Sequence, residues 1–98
     1  MGEPHKIIWS EEASGSLDDI HNYLKKHWTE KELSAFFQKL EKAILLISVN
    51  PKTFPVTSIR TNLRRCVLSK QLSLYYVAGN KTVFITSLFD NRQDPKKI

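Results

Sequence analysis

Arginine side chains offer the clearest capacity for chemistry in this sequence of 98 residues. Arg64 and Arg65 open an apolar run, and Arg92 follows the last such run. A guanidinium group stays charged and can hold a phosphate or carboxylate through two parallel hydrogen bonds. The candidate contacts for a phosphate or another target are therefore the arginines Arg60, Arg64, Arg65 and Arg92. The positively charged Lys96 and Lys97 near Arg92 are added to them. The pattern taken alone favours a simpler role, in which these cations solubilise strand ends and protect sheet edges from aggregation.

The residue types needed for other site chemistries lack the required spacing. No two of His5, His21 and His27 stand four residues apart, as a metal-binding helix would require. The three glycines are scattered and form no phosphate-binding loop. The serines that precede His21 have no third group to orient a catalytic pair. We therefore expect no metal and no other cofactor, and a conventional hydrolase or metalloenzyme is disfavoured.

Composition indicates one basic globular domain over residues 1–98. The hydrophobic fraction is 41%, and 15 Lys and Arg against 10 Asp and Glu give a net charge of +5. Such a surplus favours nucleic acid or an acidic protein as partner. Cys66 is the single cysteine, so no internal disulfide can form, and we expect it to be a buried small hydrophobe. With no apolar leader or membrane segment in the sequence, we predict a cytoplasmic protein.

Two helices are predicted after a short strand at residues 6–9. Ser10 suits the N-cap of the first helix, which carries an apolar stripe at Ala13, Leu17, Ile20 and Leu24. In the second helix, Thr29 and Glu32 have capping-box spacing, so this helix should begin at residue 30. Asn50 and Pro51 should end it. The short connection at residues 28–29 predicts an antiparallel helical hairpin.

The hydrophobic period changes to two after a proline-containing linker at residues 51–63. Runs at 64–69, 72–78 and 82–89 are β-branched and aromatic, and Gly79-Asn80 suits a two-residue hairpin turn. This predicts an α+β domain: an N-terminal strand, the helical hairpin and a three-stranded antiparallel meander. We expect an antiparallel four-stranded sheet with the N-terminal strand at an edge. In the run 72–78, hydrophobicity places Leu72, Leu74 and Tyr76 towards the helices.

The whole chain resembles toxins of the RelE/ParE superfamily, the toxin halves of type II toxin–antitoxin (plasmid stabilization) modules. The resemblance is carried, in the family's order, by the segments IIWSEEASGSLDDIHNYL, AFFQKLEKAILLISVNP, LRRCVL, LYYV and VFITSLFDNRQDP. It implies the strand, helical hairpin and meander expected above. It also implies a functional arginine after the last strand, matched by Arg92, beside a basic residue of the second strand, matched by Arg65. An acidic antitoxin is the implied partner.

Two targets are open under this resemblance. RelE-like members cleave mRNA on the ribosome without a metal, and Arg65 and Arg92 would then be candidate catalytic residues. ParE-like members poison DNA gyrase. Leu72 stands where RNA-cleaving relatives usually carry another arginine, and no His or Tyr follows Arg92 as general acid, so we favour the ParE-like branch. The same alignment puts Tyr75, not Tyr76, in the buried aromatic position. A degenerate member that only binds its antitoxin or nucleic acid is a third hypothesis.

Overall fold

The computed structural model describes residues 3–69 and 72–90 of the chain. The target-contact candidates Arg92, Lys96 and Lys97 lie outside the described residues. The helices and strands, in chain order, are β1 (Lys6–Trp9), α1 (Glu11–His27), α2 (Glu30–Val49), β2 (Leu63–Val67), β3 (Leu72–Ala78) and β4 (Thr82–Asp90).

One four-stranded sheet joins the two ends of the described chain, in the order β1-β4-β3-β2. The meander β2-β3-β4 is antiparallel, which confirms the α+β class with an N-terminal strand and a helical hairpin. The prediction that the whole sheet is antiparallel is wrong, because β1 runs parallel to β4. A parallel pair needs a long crossover, and the helical hairpin with the first two strands of the meander supplies it.

Both helices begin as their capping residues predict. The Ser10 hydroxyl accepts from the Ala13 N–H at 2.9 Å and donates to the Thr86 carbonyl oxygen at 2.9 Å, which ties the start of α1 to β4. Thr29 and Glu32 form the complete capping box at the start of α2. The last residue of α2 is Val49, and Asn50 caps it. Local sequence therefore determines where the hairpin of helices starts and ends.

Apolar side chains pack on both faces of the sheet. The main core lies between the helices and one face, and it contains Leu72, Leu74 and Tyr76, as their alternation predicts. A second, smaller cluster on the other face, here called the outer face, contains Leu63, Tyr75 and Phe89, with Val77 against it. Both aromatic neighbours in β3 are therefore buried, Tyr75 at 3% exposure and Tyr76 at 0%. Each alternative named a buried tyrosine, and the expectation that only one of the two is buried is wrong.

The connection between α2 and β2 is pinned to the sheet at several points. The Tyr76 hydroxyl donates to the Pro51 carbonyl oxygen at 2.6 Å. The backbone N–H of Arg65 donates to the Pro55 carbonyl oxygen at 3.1 Å, so the chain around Pro55 runs beside β2. Asn62 has a φ of 62°, in the left-handed region that Asn tolerates better than most residues, and this allows the chain to turn into β2.

The turn between β3 and β4 differs from the predicted two-residue form. The strands end at Ala78 and resume at Thr82, which leaves three residues in the turn. No described glycine has a positive φ, so Gly79 does not adopt the conformation that two-residue hairpin turns require. The Gly79 N–H still donates to the Thr82 carbonyl oxygen at 2.7 Å and closes the turn.

Candidate functional site

Arg64 and Arg65 are neighbours in β2 and therefore point to opposite faces of the sheet. Arg64 lies opposite Tyr76, on the helix side. Its Nη1 donates to the carbonyl oxygens of Phe54 at 2.7 Å and Lys52 at 3.4 Å. These bonds hold the connection that precedes β2, so Arg64 has a structural contact whatever else it does. Its role as a target contact stays a prediction.

Arg65 lies on the outer face, where a small pocket opens beside it. Its Nε donates to the Ser73 hydroxyl at 3.0 Å, and it stands opposite Tyr75 in the sheet. Arg65, Tyr75 and the segment 55–59 line a cavity of about 270 Å³, here called the outer-face pocket. The half-buried guanidinium is the one positive charge among these lining residues. An anionic group is the ligand that such a pocket suits.

Two serines on the same face were not identified from the sequence. Ser73 is fully buried, and its hydroxyl accepts a hydrogen bond from the Arg65 side chain. Ser87 lies in β4 and pairs with Tyr75, which pairs with Arg65 of β2 on its other side. The hydroxyl of Ser87 is buried and has no hydrogen-bond partner among the described residues. A polar residue at an alternate position of an otherwise apolar strand is the signal that could have drawn attention to both. Ser87, Tyr75 and Arg65 thus form a row across three strands.

The remaining sequence candidates are only partly described. Arg60 is exposed, and its carbonyl oxygen accepts from the Leu63 N–H at 3.3 Å, in the loop that leads to β2. Arg92 falls outside the described residues, so its position beside Arg65 stays a prediction. Phe89, near the end of β4, pairs with Ser73 of β3, and the hydroxyl of Ser73 is the one that accepts from Arg65. The chain therefore leaves the described part of β4 beside the Arg65 contact, which is compatible with that prediction.

The three histidines lie away from the outer-face pocket. His21 and His27 both lie on the helices. The ring of His21 packs edge-on against that of Phe37 with 5.3 Å between centroids, and the ring of His27 packs against that of Tyr23 with 4.4 Å between centroids. The N–H of His5 donates to the Ser48 carbonyl oxygen at 2.7 Å. Within residues 3–69 and 72–90, no group of three His, Cys, Asp or Glu residues could hold a metal. The described residues of the pocket can bind an anion through Arg65, and they include no histidine or carboxylate that could act as general base.

Cys66 is buried in the helix-side core, as its sequence context predicts. Burial raises the pKa of its thiol above the ordinary value, because the thiolate would lose its hydration. Since the thiolate is the reactive form, we expect the native protein to react with a thiol reagent at pH 8 at least about tenfold more slowly than the urea-unfolded chain. Equal rates in the two states, measured by absorbance, would show that Cys66 is accessible.

No helix in the described parts of the chain is long and apolar enough to cross a membrane.

Comparisons with known proteins identify relatives across the length of the chain. The family model of the ParE toxin of the type II toxin–antitoxin system parDE matches residues 7–95. No curated protein sequence gives a significant match. A solved structure of the chromosomal ParDE system from P. aeruginosa has a TM-score of 0.72 at 14% identity, over 91% of this chain and 98% of that one.

Two further solved structures share the fold at similarly low identity. The E. coli DinJ–YafQ toxin–antitoxin complex has a TM-score of 0.64 at 14% identity, over 91% of this chain and 94% of that one. The YoeB dimer from Staphylococcus aureus has a TM-score of 0.61 at 15% identity, over 88% and 95%. At these identities the structures establish the fold alone, whereas the family model spans the helices, the sheet and Arg65. The chain belongs to the ParE toxin family of type II toxin–antitoxin systems.

Proposed function

We propose that this chain inhibits bacterial growth by acting on DNA gyrase, and that an acidic antitoxin neutralises it. The observation that carries the proposal is the ParE family match over residues 7–95. A gyrase target requires a binding surface rather than a hydrolytic centre. The outer-face pocket fits that requirement, because its described lining offers one cation and no histidine or carboxylate. Such a target would place the action of the chain in the cytoplasm.

Leu72 carries part of the preference, drawn from the sequence, for a ParE-like over a RelE-like mode of action. RNA-cleaving members of the superfamily usually carry an arginine at the position that Leu72 occupies. Here Leu72 is 5% exposed and belongs to the helix-side core, on the opposite face from Arg65. A side chain at this position cannot reach the outer-face pocket, so an arginine here would not act beside Arg65, and its absence does not separate the two modes of action. Leu72→Arg would bury an uncompensated charge, so it would test folding rather than the target.

Cleavage of mRNA on the ribosome is the second candidate function. Arg65 favours it, because a guanidinium bound to a serine hydroxyl on a sheet face can stabilise charge that builds up on a phosphate. In that case Arg65 and Arg92 would act as catalytic residues, without a metal. A degenerate chain that binds its antitoxin but does not inhibit growth is the third candidate.

The proposed antitoxin partner is supported by charge and by the neighbouring structures. The net charge of +5 favours association with an acidic protein. The DinJ–YafQ neighbour is itself a toxin–antitoxin complex. The rate at which the chain and its antitoxin associate should fall as salt is raised. Salt ions screen the attraction between their opposite charges beyond about 8–10 Å at physiological salt. A rate that is independent of ionic strength would contradict the electrostatic part of the proposal.

Inducing the chain alone in a bacterial host tests the target directly. We expect a DNA-damage reporter to respond before any loss of full-length mRNA, because gyrase poisoning leaves broken DNA. Purified gyrase incubated with the chain should lose supercoiling activity. A chain interrupted by an early stop codon is the control. Ribosome-dependent mRNA cleavage with no DNA-damage response would overturn the gyrase proposal in favour of the second candidate, and normal growth would favour the third.

A further inference from the structure

Charged residues are divided unevenly along the sequence. Eight of the ten Asp and Glu lie within residues 1–41, which hold β1, α1 and most of α2. Residues 42–89 hold seven Lys and Arg and no Asp or Glu. The positive charge is therefore concentrated in the connection after α2 and in the meander. A surface built from this segment attracts polyanions without repulsion from carboxylates of the same segment.

One end of the sheet brings several cations together. β1, β2 and β4 begin at this end and β3 ends there, as the pairing of Lys6 with Thr82 and of Leu63 with Val77 shows. Lys81 immediately precedes β4, and its carbonyl oxygen accepts from the backbone N–H of Lys6 at 3.0 Å. Two lysines that are far apart in sequence thus lie side by side.

The connection after α2 adds basic residues at the same end. At the start of β2, the Nη1 of Arg64 donates to the Lys52 carbonyl oxygen at 3.4 Å, so Lys52 lies beside β2. Lys52 and His5 line a cavity of about 380 Å³ together with the amide side chains of Asn50 and Asn80. This cavity joins the connection after α2 to the turn between β3 and β4.

Five basic residues at this end extend across all four strands and are here called the basic rim. They are His5, Lys6, Lys52, Arg64 and Lys81. The three lysines of the rim are exposed. Neighbouring strands lie about 4.8 Å apart, so a rim across four strands is roughly 14 Å long. One strand of duplex DNA carries a phosphate about every 3.4 Å along the axis, so about four phosphates match this length.

The residue types around the rim favour phosphates over a protein surface. Protein interfaces have an apolar centre, and lysine is depleted in them. Among the described residues, the apolar lining of the rim cavity is limited to Pro51 and Ala78, beside Gly79. Lysine, arginine and amide side chains are the groups that commonly contact DNA phosphates. The polyanion that a gyrase target holds is duplex DNA.

We propose that the basic rim binds the phosphates of duplex DNA, and that through it the chain contacts the DNA held by gyrase. This inference rests on the proposed function for the source of the DNA, whereas binding of a free duplex by the rim does not depend on it. Phosphate contacts carry no sequence information, so duplexes of different sequence should bind with Kd values within about threefold of one another.

Two double variants form a matched pair for the test. The rim variant is Lys52→Gln with Lys81→Gln, and the control variant is Lys25→Gln with Lys31→Gln. Each removes two positive charges from exposed lysines, so the two proteins have the same net charge. Lys31 lies about 28 Å along α2 from Asn50, which lines the rim cavity, and Lys25 lies in the last turn of α1.

The probe is a fluorescently labelled DNA duplex, and its anisotropy measures affinity as salt is raised. About four phosphate contacts predict a slope of about −3.6 for the logarithm of the binding constant against that of the salt concentration. The slope of the rim variant should be shallower by about 2, and its Kd at about 50 mM salt at least about tenfold higher. The control variant should keep the slope, with a Kd within about threefold of that of the unsubstituted chain.

Three outcomes would overturn the assignment. Equal affinities and slopes in the two double variants would show that net charge alone matters. No binding of the duplex by the unsubstituted chain at about 50 mM salt would remove the DNA contact. Tighter binding of a single-stranded RNA of the same length would replace duplex DNA by RNA as the ligand.

A supercoiling assay with purified gyrase separates this inference from the proposed function. We expect half inhibition to require at least about tenfold more of the rim variant than of the control variant. Equal inhibition by the two variants would overturn the DNA contact at the target and leave the proposed function standing. An unsubstituted chain that binds the duplex through the rim and does not inhibit gyrase would overturn the gyrase proposal and the source of the DNA, and leave only the DNA binding.

Discussion

Arg65→Ala is expected to weaken growth inhibition by about ten- to a hundredfold, measured as the inducer concentration that halves the growth rate. A hydrogen bond that involves a charged group contributes about 1.5–3 kcal/mol, and about 1.4 kcal/mol corresponds to a factor of ten. The guanidinium is half-buried beside the outer-face pocket, so its removal takes away that pocket's positive charge. Arg65→Lys should restore inhibition poorly, because lysine keeps the charge and loses the planar fork.

The control for this prediction is Lys25→Ala, which removes one positive charge from an exposed position of α1. It should inhibit growth as the unsubstituted chain does. The circular dichroism spectrum of Arg65→Ala should be unchanged, and its antitoxin affinity should fall little. Arg92→Ala is expected to have an effect at least as large, as the family resemblance implies. If the chain with both arginines replaced stays fully toxic, the helical hairpin and not the outer face meets the target.

Signals that act within a few residues predicted the helices well. The hydroxyls of Ser10 and Thr29 each accept a hydrogen bond from the backbone N–H three residues later, at Ala13 and Glu32. Such bonds depend only on neighbouring residues, so the sequence reveals them. The direction of β1 has no such local cause. Its partner β4 lies more than seventy residues away, as the pairing of Lys6 with Thr82 shows, and only the assembled meander determines which way the two strands run. A parallel neighbour could therefore not be predicted from the sequence around β1.

The candidate site shows the same division between local and tertiary causes. Alternation along β2 predicts that Arg64 and Arg65 point to opposite faces, and it does not predict which one meets the helices. The choice follows from contacts with the preceding loop, where Arg64 binds the Phe54 carbonyl oxygen. The burial of Tyr75 in addition to Tyr76 depends on Phe89, which covers Tyr75 on the outer face with 6.3 Å between the ring centroids. That second cluster requires the register of β3 against β4, which the sequence does not reveal.

Leu40→Ala is expected to lower the free energy of unfolding by about 2–5 kcal/mol, as truncation of a buried leucine usually does. Leu40 is 6% exposed and belongs to the helix-side core of α2 and the sheet. The lost burial and the cavity left behind both contribute to this cost, which is a large share of the roughly 5–15 kcal/mol that stabilises a typical domain. A loss of about 3 kcal/mol in a chain of this size lowers Tm by roughly 12–24 °C.

Leu45→Ala is the matched control, because it truncates the same residue type in the same helix at 65% exposure. Its expected cost is below about 0.5 kcal/mol, the usual range for surface changes. Urea denaturation followed by circular dichroism measures both variants. A cost for Leu40→Ala below about 0.5 kcal/mol would place that residue on the surface and contradict the packing of α2 against the sheet. The pair also separates two ways of losing growth inhibition. Leu40→Ala should lose it together with stability, whereas Arg65→Ala should lose it with the fold intact.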